Sequence, residues 1–205
     1  GVNFVAVRFS NRELPPFWGA TLRFFVASLI LFITVTIKKL PLPAGRALAG
    51  AVLFGALAFG ANFGLLYWGL VTAPAGIASV IFATIPLSTL LTASLFRQEK
   101  FTMRGLFGAA IVIGGISIVF HDQLKLSVPP MPLLAIFLAS LAAALSGIVV
   151  KGFPKSHPIA TNAVAMTVGT VILFILSLVF GETFLLPQQA STWIAFLWLI
   201  TSSIV

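Results

Sequence analysis

Between Arg46 and Arg97 the chain runs for 50 residues without one charged side chain. As a single α-helix rising about 1.5 Å per residue, that stretch would be about 75 Å long. A bilayer core is only about 30 Å thick, so the stretch must fold back on itself, and Thr72-Ala73-Pro74 supplies the turn. No soluble fold wants such a run. Charged residues make up 8% of the chain, hydrophobic residues 60%, and mean hydropathy is +1.14; a soluble domain carries about a quarter charged residues. With no water to satisfy backbone groups, the spanning elements are helices. The fold class expected is therefore all-α, a polytopic membrane helix bundle forming one integrated body.

The same reasoning predicts an incomplete first helix over 1–9, then spans over 16–37, 47–70, 75–96, 102–120, 131–151 and 159–180. A last span opens near Ser191 and is still running at Val205. The net charge of +8 could suggest a nucleic-acid partner, but its distribution argues for topology instead. Numbering the loops from the first helix, the even ones carry Lys38, Lys39, Arg46, Arg97, Lys100, Arg104, Lys151 and Lys155. The odd ones carry Arg12 and Lys125, with Arg8 at a helix edge, and three of the four acids, Glu13, Asp122 and Glu182. Excess Lys and Arg on alternate loops marks the cytoplasmic side, which predicts a multi-pass protein of the cell inner membrane.

Within the fourth span, VIFATIPLSTLL places Pro86 among the hydroxyls of Thr84, Ser88 and Thr89. Proline frees the carbonyl of Phe82 and clashes with it, a defect of about 3 kcal/mol in a soluble helix. Membrane helices accept such a break when it packs in protein or lines a cavity. Two readings follow: a packing kink closed by a local hydroxyl, or a polar wall near the midplane.

Other polar residues lie within apolar runs. Asn3 and Asn62 need partners, which can be a neighbouring helix or a substrate. Ser140 and Ser146 are six residues apart and do not form one polar face, so at most one lines a path. Arg23 lies seven residues past Pro16, about 10 Å along its helix, and should face the bundle or snorkel outward toward Glu13. Tyr67 and Trp68 read as interfacial anchors. Small residues at Ala47, Ala51 and Gly55, at Ala56, Gly60 and Gly64, and at Ala110 and Gly114 predict close helix packing.

VAVRFSNRELP (5–15) and IVVKGFPKSHP (148–158) align at a constant offset of 143, pairing Arg8 with Lys151, Arg12 with Lys155 and Pro15 with Pro158. A second copy begun five helices later sits upside down, as in the inverted repeats of secondary transporters. The runs NFVAVRF, PPFWGATLRFFVASLIL, GLVTAPAGIASVIFATIPLSTLLTASLFRQEKFT and GLFGAAIVIGGISIV, in that order, resemble the drug/metabolite transporter superfamily and its EamA-type members. That resemblance implies two inverted five-helix repeats that move small metabolites by alternating access. Residues 1–120 would then be the first repeat, with its first helix truncated, and 131–205 a partial second repeat.

Enzymatic chemistry finds little support. There is no cysteine, and His121 and His157 both fall at loops. No GxxxxGK[ST] motif is present to support ATP-driven pumping. No carboxylate falls inside a span, which favours a facilitator or an exchanger, or coupling through helices beyond Val205. The expectation is a secondary transporter, an exporter of amino-acid-like or related compounds, with Asn3, Arg23, Asn62, Thr84, Pro86, Ser88 and Ser146 as substrate-binding candidates. The rival is a membrane-embedded enzyme acting on lipid-linked substrates, which would need clustered Asp, Glu, His or Arg at one membrane face. Expected partners are a small-molecule substrate and the lipid bilayer, with homodimerisation left open. No metal, cofactor or nucleic acid is called for.

Overall fold

The computed structural model describes residues 2–95, 103–119, 121–124 and 128–204; Arg97, Lys100 and Lys125 of the charge count above lie outside them. The described chain is helical, with no strand. Its elements are α1 (Val2–Ser10), α2 (Pro16–Ile37), α3 (Gly45–Gly55), a π-helical segment (Ala56–Ala61) and α4 (Asn62–Gly69). They continue with α5 (Ala75–Phe82), α6 (Ile85–Leu95), α7 (Met103–Val119), the short α8 (His121–Leu124), α9 (Pro130–Gly152), α10 (Pro158–Val179) and α11 (Ala190–Ile204). The expected spans agree with these bounds to within two residues. Among the described residues five runs are long and apolar enough to cross a membrane: α2, α3 through α4, α5 through α6, α9 and α10. Shorter apolar helices lie in α7 and α11.

Both faces of these helices are apolar, so hydropathy alone does not say which face is inside. Packing separates them. On α2, Phe25, Leu29, Ile33 and Ile37 form an exposed stripe, while Ala20, Phe24, Ala27, Leu31 and Val35 are buried. Among the described residues α2 packs most extensively against α10, with α11 and α4 also against it. α9 packs along α4 and against α3, α5 and α6.

Small residues bring the segment from α3 to α4 against α10. A Cβ added at Gly55 would strike the backbone of Ala165, and one at Gly60 would come within 2.8 Å of the Ile172 side chain. A Cβ at Gly169 would meet Phe59. These close approaches match the expectation drawn from the small-residue spacing. The pair Ala110 and Gly114 does not: a Cβ at Gly114 would meet nothing within 4 Å among the described residues. Spacing by four permits close packing but supplies no neighbour.

The α5–α6 run breaks where the proline predicts. α5 ends at Phe82 and α6 opens at Ile85, with Ala83 and Thr84 in a tight turn. The amide of Thr84 donates to Ile81 O at 3.0 Å, and its Oγ1 donates to the same oxygen at 2.6 Å.

The segments 5–15 and 148–158, aligned above, sit in similar local settings. Each leaves a helix in its last turn, at Arg8 and at Lys151, and runs through a short loop into a proline-led helix. Pro15 is the N-cap of α2, whereas Pro158 is the first residue of α10, a difference of one position.

Candidate functional site

The most constrained polar group is Arg23. It faces the bundle rather than snorkelling, and only 3% of it is exposed. An unsatisfied arginine at bilayer depth costs about 2.5–3.5 kcal/mol on insertion scales, so its partners matter. Nε donates to the carbonyl of Leu199 at 3.1 Å, and Nη1 lies 3.3 Å from the hydroxyl of Tyr67. The guanidinium also sits 4.8 Å from the Phe24 ring centre and 5.0 Å from that of Phe63. At such distances the faces of aromatic rings attract a cation. α2, α4 and α11 thus converge on one charge.

Tyr67 corrects an expectation. It is fully buried, so it is not an interfacial anchor, whereas its neighbour Trp68 is 36% exposed. The helix places Phe63 and Tyr67 four residues apart on one face, with rings 6.4 Å apart. That spacing, together with a cation on another span, is the signal in the sequence that could have found the pair. Asn11 was also missed. Its Nδ2 donates to Tyr67 O at 3.0 Å and holds the end of α4 against the α1–α2 turn.

Asn62 is buried and follows the π-helical segment directly. A π segment shifts the helical ladder and often marks a functional position. The Nδ2 of Asn62 bonds Ala58 O at 3.1 Å, but its Oδ1 is buried without a hydrogen-bond partner among the described residues. Leaving such an acceptor unmade costs about 1–3 kcal/mol. Asn62 therefore holds an acceptor that a ligand's donor could meet.

The remaining candidates are dispersed. Asn3 Oδ1 accepts from Trp198 Nε1 at 3.0 Å, tying α1 to α11. Ser146 is buried and its hydroxyl donates to Ala143 O at 2.7 Å in its own helix. Pro86 is exposed, with Thr84 and Ser88 half-buried, on a run that packs against α9 rather than α2. The Thr84 hydroxyl is used within its own turn. The structure does not bring the Pro86 group together with Arg23. Among the described residues no group of three His, Cys, Asp or Glu could hold a metal ion.

Loop carboxylates join helices at one end of the bundle. Pro15 and Pro16 give α2 no side-chain cap of its own. Instead Glu182, from the α10–α11 loop, accepts from the amides of Phe17 at 3.1 Å and Trp18 at 2.7 Å. Trp18 Nε1 returns a bond to Leu185 O at 2.6 Å. Reciprocally, Glu13 of the α1–α2 loop accepts from the amides of Gln188 and Gln189, which lead into α11. The Thr192 hydroxyl holds the Glu13 carboxyl below its ordinary value; burial opposes this, and the two amides reinforce it.

The opposite end is open and basic. A cavity of about 480 Å³ lies between the starts of α3 and α10 and the end of α9, with Lys151 and Lys155 among its lining residues.

A bundle of helices with spanning apolar runs is that of a polytopic membrane protein, and Arg23 lies inside it as a buried, aromatic-flanked cation. Residues 1–121 match the EamA-like transporter family, and the chain belongs to that family. It is 28% identical over 192 residues to YedA of Escherichia coli K12, described as an uncharacterized inner membrane transporter, covering 89% of this chain and 59% of YedA. It is 27% identical over 129 residues to PagO of Salmonella typhimurium, covering 62% of this chain and 42% of PagO. A 55-residue stretch is 38% identical to a "Probable terminal-alkyne amino-acid exporter" of Streptantibioticus cattleyicolor, covering 27% of this chain and 18% of that protein. The chain spans less than two thirds of the length of each of these relatives. One solved crystal structure superimposes over 99% of this chain and 74% of its own with a TM-score of 0.73 at 15% identity, a likeness of fold.

Proposed function

We propose that the whole protein is a secondary transporter of the inner membrane that moves small, amino-acid-like metabolites outward by alternating access. Its two repeats would be inverted, 1–120 and 131 onward, with the lysine-rich end in the cytoplasm. Family membership and the inner-membrane and exporter relatives support this reading. The observation that carries the substrate class is the buried guanidinium of Arg23, which can exchange its hold on Leu199 and Tyr67 for a substrate carboxylate. Asn62 Oδ1 offers an acceptor to a substrate donor such as an ammonium group. The break at Thr84 and Pro86 gives the fourth span two rigid halves that can tilt separately.

The test is uptake and efflux of a metabolite panel by the full-length protein in proteoliposomes. Arg23→Gln should abolish transport of carboxylate-bearing compounds, and Arg23→Lys should weaken it, since lysine cannot reproduce the planar fork. Normal turnover in both variants at normal protein levels would remove Arg23 from the site. If Pro86→Leu, Thr84→Ala and Ser88→Ala all transport like the parent, the helix break is a packing kink.

A further inference from the structure

The cavity at the lysine-rich end is a separate feature from the Arg23 site. Its lining is mixed: Ala47, Ala51, Phe54, Val150 and Phe153 supply apolar surface, and Lys151, Lys155 and Asn162 supply polar groups. Among the described residues no acid lines it. The start of α10 adds the positive end of a helix dipole.

Between α3 and α10 the cavity stops about one turn in. One turn beyond Ala51 and Thr161, Gly55 meets the backbone of Ala165 so closely that a Cβ would collide with it. Farther along, Gly60 against Ile172 and Phe59 against Gly169 continue the seal. Beside the cavity α3 and α9 expose apolar surface: Leu48 is 41% exposed, Val52 42% and Val150 45%.

We infer that this cavity binds an anionic phospholipid of the cytoplasmic leaflet. The phosphate would lie at Lys151, Lys155 and the start of α10, and the first acyl methylenes along Ala47, Ala51 and Phe54. The leaflet assignment rests on the orientation proposed above, but the binding chemistry does not. A cation at that depth attracts anionic headgroups, and the apolar lining selects a headgroup that carries a chain over a free anion.

The experiment is native mass spectrometry of the full-length protein in detergent, titrated with dioctanoyl phosphatidylglycerol or dioctanoyl phosphatidylcholine. Detergent removes sidedness, so an error in orientation cannot mimic failure here, and no transport assay is involved. The parent should retain phosphatidylglycerol in preference to phosphatidylcholine. Lys151→Gln and Lys155→Gln should each lower that retention about fivefold. Ala47→Trp should lower it with the charge unchanged. Lys38→Gln, which alters a lysine outside the cavity, should leave it unchanged. An equal loss in Lys38→Gln would mean general surface attraction and overturn the site. Full competition by millimolar inorganic phosphate, or by a transported metabolite, would overturn the lipid as occupant. Should either cavity variant unfold, the other still decides, since thermal midpoints are recorded alongside.

Discussion

The two ends of the bundle are built differently. At the glutamate end, the α1–α2 and α10–α11 loops exchange carboxylates: Glu182 holds the start of α2 and Glu13 the approach to α11. At the lysine end, a cavity of about 480 Å³ stands between helices whose loops contribute basic side chains. Charge-assisted bonds to backbone amides are among the stronger single contacts a protein makes. The glutamate end is therefore closed by specific bonds. The lysine end is held from one turn inside, by backbone-to-backbone contact at Gly55 and Ala165.

The largest effect should come from the glycine contact. Gly55→Leu drives a side chain into the Ala165 backbone, which has nowhere to move, and should cost about 3 kcal/mol or more. Loss of the monodisperse peak in detergent size exclusion checks this. Gly114→Leu, in open space among the described residues, should elute like the parent. If both behave alike, the contact is not what closes the lysine end.

A middle-sized effect is expected at the clasp. Glu182→Ala leaves the amides of Phe17 and Trp18 without their acceptor, a loss of about 1–3 kcal/mol. Lys155→Ala at the opposite end should stay within about 0.5 kcal/mol. Thermal midpoints compare them directly, and equal shifts would erase the difference between the ends.

The smallest effect is the pH response of Glu13. Its carboxyl is held below the 4.5 of an unperturbed glutamate, chiefly by the Thr192 hydroxyl. A depressed carboxylate contributes stability that is present above its unfolded value and lost as pH falls through its folded value. The Glu13 half of the clasp should therefore be unchanged from neutral pH down to about 4.5 and weaken only in stronger acid. The midpoint difference between the parent and Glu13→Gln should shrink over that acid range. A difference that vanishes already near neutrality would contradict the clasp as described.

The apolar spans, their bounds to within two residues and the break at Pro86 were legible from the chain alone; the π segment at Ala56–Ala61 and the short α8 were not. The legible features follow from local rules: the length of an apolar run against a bilayer's thickness, and the missing N–H of proline. The charge pattern separated Glu13 and Glu182 from Lys151 and Lys155 before any contact was known. What one chain could not show is which face of an all-apolar helix turns inward. Arg23 was visible, with the bundle and the surface both open to it; Tyr67 was read as an anchor because a tyrosine near a helix end looks the same in either setting. The amide oxygen of Asn62 gained its interest only when packing buried it without a partner. The trans caps of α2 and α11 were invisible for a related reason: each joins groups more than 160 residues apart. In lipid the hydrophobic contrast that orients a soluble helix is absent, so small-residue fit and a few polar contacts decide the arrangement. Those depend on which helices meet, and only the tertiary structure determines that.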